Sequence, residues 1–470
     1  MQALLDDLRA IVGEAHVLAG DGDALTAYER DWRKRYRGHS LAVVLPASAD
    51  EVAAVVRRCA AADGVSIVPQ GGNTGLVGGG VPDDSRRQIV LSTKRLRAVR
   101  RIDADNQTIT VEAGLVLQEV QAAAAAAGLL FPLSLAAEGT CTIGGNLATN
   151  AGGTQVLRFG NARELCLGLE VVTAQGELWS SLHGLRKDNT GYDLRDLFVG
   201  SEGTLGVITG ATLKLHPQPA AVTTALAATP TLEAAVDLLQ LAQSRLGAGL
   251  TGFEVMGRYA LGLVRTHMPR LAQPLPPSDW TVLLEQSDSE SETHAQALFE
   301  ALLETALERE LITDAAVAAS LDQSTAMWHL RESIPMAQAL EGANIKHDIA
   351  LPVSGVARFV AQTDTALLRA FPGIRLVNFG HLGDGNLHYN VQAPDGKDAA
   401  DFLREHEHAV NTLVFDAVGE HGGSFSAEHG IGALKRKELA LRKSPVALQM
   451  MRAIKRALDP QNLMNPGRLL

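Results

Sequence analysis

Residues Gln70 to Gly80 read Gln-Gly-Gly-Asn-Thr-Gly-Leu-Val-Gly-Gly-Gly, with six glycines in eleven positions. No helix or strand interior is stable at that density, because glycine loses more backbone freedom on folding than any other residue. The segment must therefore be a loop held by the rest of the fold. Helix-like Ala49 to Ala62, with Val52, Val55, Val56 and Cys59 along one side, and strand-like Ser66 to Pro69 lead into it. Crowded glycines let successive backbone N–H groups converge on an anion, which suits phosphate or pyrophosphate. No G-x-G-x-x-G opens a helix here and no G-K-[ST] follows, so neither the Rossmann nor the P-loop pattern fits. Taken alone, a flexible loop explains the segment equally well.

It does not stand alone. Gly139 to Gly153 interleaves glycines with hydroxyl and amide side chains, and Asp196 to Ile208 forms a third glycine-bearing loop. Strand-like Thr108 to Ala113 and Leu165 to Thr173 separate them. One extended ligand with a polar heterocycle, touching all three loops, accounts for them most economically.

A second constellation lies toward the C-terminus. His381-Leu-Gly-Asp-Gly-Asn-Leu-His388 is followed by Glu428-His429-Gly430. Two imidazoles and a carboxylate suit zinc or a similar divalent metal, and three protein ligands leave one position open for substrate. Val377 to Phe379 ends an apolar run and Leu387 to Val391 alternates, so the histidines flank a strand-loop-strand junction in which Gly383 and Gly385 permit positive φ. A lone loop histidine is usually an ordinary polar contact. Two of the fourteen histidines within eight residues, with a Glu-His pair in another glycine-bounded turn, favour a site.

At 470 residues the chain exceeds one core. A net charge of −11 (42 Lys and Arg against 53 Asp and Glu), without a long basic run, argues against nucleic acid as a partner. No eighteen-residue apolar stretch occurs, and Met1 to Ala19 mixes charges into a helical pattern rather than a signal peptide. A cytoplasmic protein that is not integral to a membrane is expected. Cys59, Cys141 and Cys166 are scattered without C-x-x-C spacing, so neither a disulfide framework nor an iron-sulfur cluster is expected. Electrons collected here would need an outside acceptor.

The middle of the chain reads as strand Val222 to Ala227, helix Leu232 to Leu246, strand Thr281 to Glu285 and a helix through Ala295 to Leu307, which suggests helices on one face of a sheet. Ala122 to Ala127 favours a packed helix.

PQGGNTGLVGG, GTCTIGGNLATNAGG, RKDNTGYDLRDLFVGSEGTLGVIT, HLGDGNLHYN, EHGIG and the ending NPGRLL stand in this order. Over almost the whole chain they resemble the FAD-linked D-2-hydroxy-acid dehydrogenases of the vanillyl-alcohol-oxidase superfamily, nearest the branch acting on D-2-hydroxyglutarate and D-lactate. The resemblance implies an α+β fold: a PCMH-type FAD-binding domain of two subdomains at 1–217, and an antiparallel-sheet substrate or cap domain at 218–420 with helices on one face. A segment at 421–470 would complete the active site and return to the FAD domain.

By the same resemblance Pro69, Gly71, Gly72, Asn73, Thr74 and Gly75 hold the FAD pyrophosphate. Gly139, Thr142, Gly145, Asn146, Thr149, Gly152 and Gly153 border the ribityl chain and isoalloxazine; Glu202, Gly203 and Ile208 border the adenosine end; Asn465 returns to the flavin. Some relatives attach flavin through a histidine where Asn73 stands here, so noncovalent FAD is implied. His381, His388 and Glu428 would ligate zinc or another divalent metal, which would bind the substrate and lower its hydroxyl pKa. His429, an imidazole with an unperturbed pKa of about 6.5, would take the released proton while hydride leaves for flavin N5. Asn390 would hydrogen-bond a substrate carboxylate, and Arg331 and Lys346 would select a distal one. Pro335 stands where the hydroxyglutarate branch carries threonine, and it fits the first turn of a helix capped by Ser333.

The implied reaction is oxidation of D-2-hydroxyglutarate to 2-oxoglutarate, with D-lactate or another D-2-hydroxy monocarboxylate as the alternative substrate. A zinc hydrolase with phosphate-binding glycine loops is the alternative of another class. An electron-transfer flavoprotein or a quinone would serve as external acceptor, and a homodimer is the assembly considered.

Overall fold

The computed structural model describes residues 1–20 and 22–470, which form two compact units. The first unit comprises Met1–Gly152, Gly160–Gln218 and Glu428–Leu470; the second comprises Gly153–Phe159 and Pro219–Ala427.

Two main sheets build the first unit, beside a two-stranded antiparallel pairing of His216–Pro217 with Leu129–Leu130. Strands Val17–Ala19, Ala42–Val44, Gln88–Ser92 and Ser66–Gln70 lie side by side in that spatial order, the first pair antiparallel and the others parallel. Five antiparallel strands, Val99–Asp103, Thr108–Glu112, Gly206–Lys214, Cys166–Thr173 and Leu178–Ser181, form the other. The helix Ala49–Ala60 begins at Ser48, whose hydroxyl accepts the Glu51 N–H at 3.1 Å. Its Val52, Val55, Val56 and Cys59 are buried against Ile67, Ile89 and Leu91, and the same core takes Val172 and Val207 from the second sheet. The alanine-rich run lies on helix Leu117–Ala126, which buries Val120 and Ala124. The chain returns late to this core: Ile67 N–H donates to the Leu463 carbonyl at 2.8 Å and Asn465 N–H to the Ile67 carbonyl at 2.7 Å.

The second unit is an eight-stranded sheet ordered Asp314–Val317, Ala221–Thr229, Trp280–Asp288, Leu250–Gly257, Arg375–His381, Asn386–Gln392 and Asn344–Ile345, with Asp348–Ala350 also paired to Asn386–Gln392. All pairings are antiparallel. Helices cover both faces rather than one. Ala225, Val255, Val282 and Leu284 pack under Leu232–Leu246 and Glu292–Glu308, while Leu226, Met256, Leu283 and Phe379 pack under Arg258–His267, Leu321–Glu332 and Ile334–Glu341. The cause is in the strands, where successive residues are apolar, so both side-chain sets need burial.

Among the described residues no helix is long and apolar enough to cross a membrane.

Candidate functional site

The three glycine loops meet around one solvent-open cavity of the first unit with about 1040 Å³ of empty space. Pro69, Gly71, Gly72, Asn73, Thr74 and Gly75 line it from the first loop, Thr142, Gly145, Asn146 and Thr149 from the second, Glu202, Gly203 and Ile208 from the third, and His429 joins them. The glycines permit close stacking. A Cβ on Gly71 would lie 2.3 Å from Thr142 Oγ1, and one on Gly72 only 2.2 Å from the Thr140 carbonyl oxygen. The second loop is partly helical, Ile143–Ala148, with Ile143 and Leu147 buried.

Two buried polar atoms, Thr142 Oγ1 and Gln70 Oε1, have no hydrogen-bond partner among the described residues. Leaving such atoms unpaired costs on the order of 1–3 kcal/mol each, which a polar ligand would relieve. With the glycine cradle, they fit a large ligand rich in hydroxyls and phosphates, as FAD is. Non-glycine residues with positive φ gather here, Asn73 at 57°, Glu202 at 52° and Asn465 at 46°, a concentration of strained backbone common where a site must be shaped.

Several expected contacts take another form. The Asn73 amide donates to the carbonyls of Ala27 and Arg30 at 3.0 and 2.9 Å, so it fastens the loop. The Glu202 carboxylate accepts the N–H groups of Ile431 and Gly432 at 2.8 and 2.6 Å, tying down the segment just after His429. Burial raises its pKa, against the pull of those N–H groups and Lys435. Asn465 is buried behind the cavity, its amide donating to the carbonyls of Gly79 and Glu202 at 2.9 and 2.8 Å. Gly139 and Gly152 are not among the lining residues, and Gly153 falls in the second unit. Thr93 lines the cavity without having been marked by any sequence signal, and Ser201 and Val207 line it from within the third loop.

In the second unit His381 ends strand Arg375–His381, a single 3-10 turn spans Leu382–Asp384, and His388 lies on strand Asn386–Gln392. Gly385 adopts φ 80° to close the turn; Gly383 instead serves close packing, since a Cβ there would lie 2.9 Å from Leu157. The two imidazoles converge, with ring centroids 5.6 Å apart at 77° and a ring nitrogen of each within 4.8 Å of the other. Such a pair of nitrogens fits a divalent metal. Asp348 lies opposite His388 in the sheet, and its carbonyl accepts the Ala427 N–H at 3.2 Å. Glu428 is the next residue along the chain.

Beside the pair lies a buried carboxylate without any sequence signature. Glu254 accepts from His381 Nδ1 at 2.6 Å and from Arg331 Nε at 2.7 Å. Burial opposes its charge, yet His381 and Arg331 together hold its pKa below the usual value. Arg331, expected as a substrate grip, is therefore itself buried and engaged, with its guanidinium 5.0 Å from the centre of the Phe379 ring. Phe379 in turn lies 4.9 Å from the His388 ring, so Arg331 belongs to the histidine cluster. Asn390 is committed within the sheet: its Oδ1 accepts His347 N–H at 3.0 Å and its Nδ2 donates to Gln338 Oε1 at 2.9 Å. Lys346 is half-buried just after strand Asn344–Ile345. Pro335 sits in the first turn of helix Ile334–Glu341 as expected, but the Ser333 side chain does not cap it.

Comparison with known proteins agrees with this geometry. Residues 40–181 match the FAD binding domain family, and residues 218–469 match the family of FAD linked oxidases, C-terminal domain. The chain belongs to the FAD-linked oxidases and is an FAD-dependent oxidoreductase, which bears out the resemblance drawn from its motifs and sets the hydrolase reading aside. More narrowly, it is 40% identical over 446 residues to D-2-hydroxyglutarate dehydrogenase of Xanthomonas citri pv. viticola, covering 95% of this chain and 92% of that protein. The mitochondrial D-2-hydroxyglutarate dehydrogenase of Rattus norvegicus is 38% identical over 451 residues, with 96% and 82% covered. The PCMH-type α+β fold recurs in p-cresol methylhydroxylase with substrate bound, at TM-score 0.76 and 16% identity, covering 100% of this chain and 96% of that one. It recurs also in alkyldihydroxyacetonephosphate synthase, at TM-score 0.74 and 17% identity, with 99% and 84% covered.

Proposed function

We propose that this protein oxidises D-2-hydroxyglutarate to 2-oxoglutarate, with noncovalent FAD and a divalent metal held by His381, His388 and Glu428. The observation that carries the reading is the convergence of His381, His388 and Arg331 in one cluster, in a chain whose relatives across nearly its full length are D-2-hydroxyglutarate dehydrogenases. Glu428 is included because Ala427, one peptide bond away, is anchored at Asp348 across the strand from His388.

FAD, when bound, supplies the two-electron acceptor, and a divalent metal, when bound, supplies Lewis acidity toward the substrate hydroxyl. The chain's own residues do the rest. Arg331 and Lys346 provide positive charge for the distal carboxylate, the guanidinium as a planar fork and the ammonium as a compact charge. Asn390, with one amide proton beyond its bond to Gln338, is offered to the near carboxylate. His429, on the wall of the flavin cavity, takes the hydroxyl proton. Asn73 stands where some relatives carry the histidine that attaches flavin, so that position offers no covalent link. An external acceptor, an electron-transfer flavoprotein or a quinone, would be needed to regenerate the oxidised cofactor.

A monocarboxylate such as D-lactate is the second reading. Arg331 already satisfies part of its charge on Glu254, and Pro335 offers no hydroxyl to a distal carboxylate.

The test is the visible spectrum of purified protein under anaerobic addition of D-2-hydroxyglutarate, D-lactate and their L forms, before and after a chelator. Bleaching by D-2-hydroxyglutarate that is lost on chelation and restored by zinc supports the reading. Bleaching by D-lactate alone moves the substrate, and chelator-insensitive bleaching removes the metal.

A further inference from the structure

We infer that Glu254 is a positioning residue that sets the orientation of both the metal-binding and the carboxylate-binding halves of the substrate site. The inference rests on the proposed roles of His381 and Arg331. Glu254 occupies strand Leu250–Gly257 in register with His381 on the neighbouring strand, so the two side chains leave the same face of the sheet. Its other cross-strand neighbour is Leu283, and its side chain is fully buried. An isolated carboxylate would not stay ionised there; this one has a guanidinium at 2.7 Å and an imidazole N–H at 2.6 Å.

Each oxygen has a distinct task. Oε1 accepts from His381 Nδ1, which requires the proton on that nitrogen and turns the Nε2 lone pair away from Glu254. A carboxylate behind a histidine in this manner fixes tautomer and ring angle and strengthens the other nitrogen as a ligand. Oε2 takes Arg331 Nε, with Nη2 also 2.7 Å away, which leaves Nη1 as the guanidinium edge not turned to Glu254. The Phe379 ring then fixes the guanidinium plane. One carboxylate thus holds a metal ligand and a substrate grip at a fixed separation.

The experiment compares flavin-loaded wild type, Glu254→Gln and Glu254→Asp. For Glu254→Gln we expect zinc retention against a graded chelator to fall by about 10- to 100-fold. The KM for D-2-hydroxyglutarate should rise at least about tenfold, with a smaller rise for D-lactate, while flavin content is unchanged. Glu254→Asp, a methylene shorter, should recover one of these effects and not both. A folded Glu254→Gln enzyme with wild-type zinc retention and wild-type KM overturns the inference. Should that variant not fold, the tautomer of His381 in the metal-free wild-type protein decides, read from ¹H–¹⁵N correlations of labelled histidine and assigned with His381→Gln. Protonated Nδ1 supports positioning, and protonated Nε2 overturns it. Failure of the metal reading itself is distinguishable, because the wild type would then take up no zinc while the tautomer and KM measurements still judge Glu254.

Discussion

The side-chain amide of Asn465 donates to the backbone carbonyl of Glu202 at 2.8 Å and, with its second proton, to that of Gly79 at 2.9 Å. One buried amide therefore joins two loops that line the glycine-walled cavity, from a backbone at φ 46° that asparagine tolerates better than most residues. Asn465→Ala should strand one buried and one part-buried carbonyl and strain the turn, at a cost of about 3 kcal/mol in total. The expected outcome is a melting temperature lower by about 5–10 °C and a reduced flavin-to-protein ratio after gel filtration.

Gly72 and Gly75 both line the cavity, yet they should respond differently to alanine. At Gly72 the added methyl would meet the Thr140 carbonyl at 2.2 Å, whereas at Gly75 it meets nothing within 4 Å. Gly72→Ala is expected to destabilise the flavin-free protein by about 2 kcal/mol or more, and Gly75→Ala to leave its thermal unfolding within about 0.5 kcal/mol of wild type. Any loss of flavin by Gly75→Ala would then report the ligand's proximity rather than a damaged loop.

Burial pushes the thiols of Cys59 and Cys166 up to about 12. The folded state keeps its protons where the unfolded chain, at the ordinary thiol value of 9.0, has released them. Stability should therefore be unaffected by these groups below about pH 9 and fall as pH rises from there toward 12, each thiol contributing a slope of roughly 1.4 kcal/mol per pH unit. Urea unfolding at a series of alkaline pH values measures the slope, and Cys59→Ala should reduce it. At pH 8 neither thiol should react with an aromatic disulfide reagent until the protein is unfolded.

Arg331 and Lys346 make separable predictions about substrate choice. Lys346→Ala should raise the KM for D-2-hydroxyglutarate by about 10- to 100-fold, with little change for D-lactate, as befits loss of one charge-assisted contact. Arg331→Met should do more, because Glu254 would lose its buried counter-charge, and a stability loss of about 3–5 kcal/mol is expected alongside. Steady-state kinetics with both substrates, paired with thermal unfolding, separates the two effects.

Much of this site was legible in the residues themselves, for a local reason. The Gly71 and Gly72 pair signals a loop wherever it falls, and His381 and His388 lie on adjoining strands whose turn the intervening glycine forces. What was hidden depends on partners distant in sequence. Glu254 sits in an apolar strand and gains meaning only from His381, 127 residues away. Asn390 gives no hint in the sequence that its amide also holds Gln338 and the His347 backbone. Ser333 looks like a helix cap, but its backbone is already helical, with φ −77° and ψ −13°, so its hydroxyl is not presented to the next turn. The second helical layer over the sheet was missed because a continuous apolar strand does not announce which element will cover each face.

The late return of residues 463–465 to strand Ser66–Gln70 gives this fold a clock. Asn465 and Gly79 are separated by 386 residues. A ribosome adding about 5–20 residues per second needs roughly 20 to 80 s to make that stretch. Throughout that interval the nascent first unit lacks the strip of chain that holds its loops together, while the whole second unit emerges and has time to collapse. The cradle around the cavity thus cannot take its final form before residues 463–465 have been made, after the whole of the second unit.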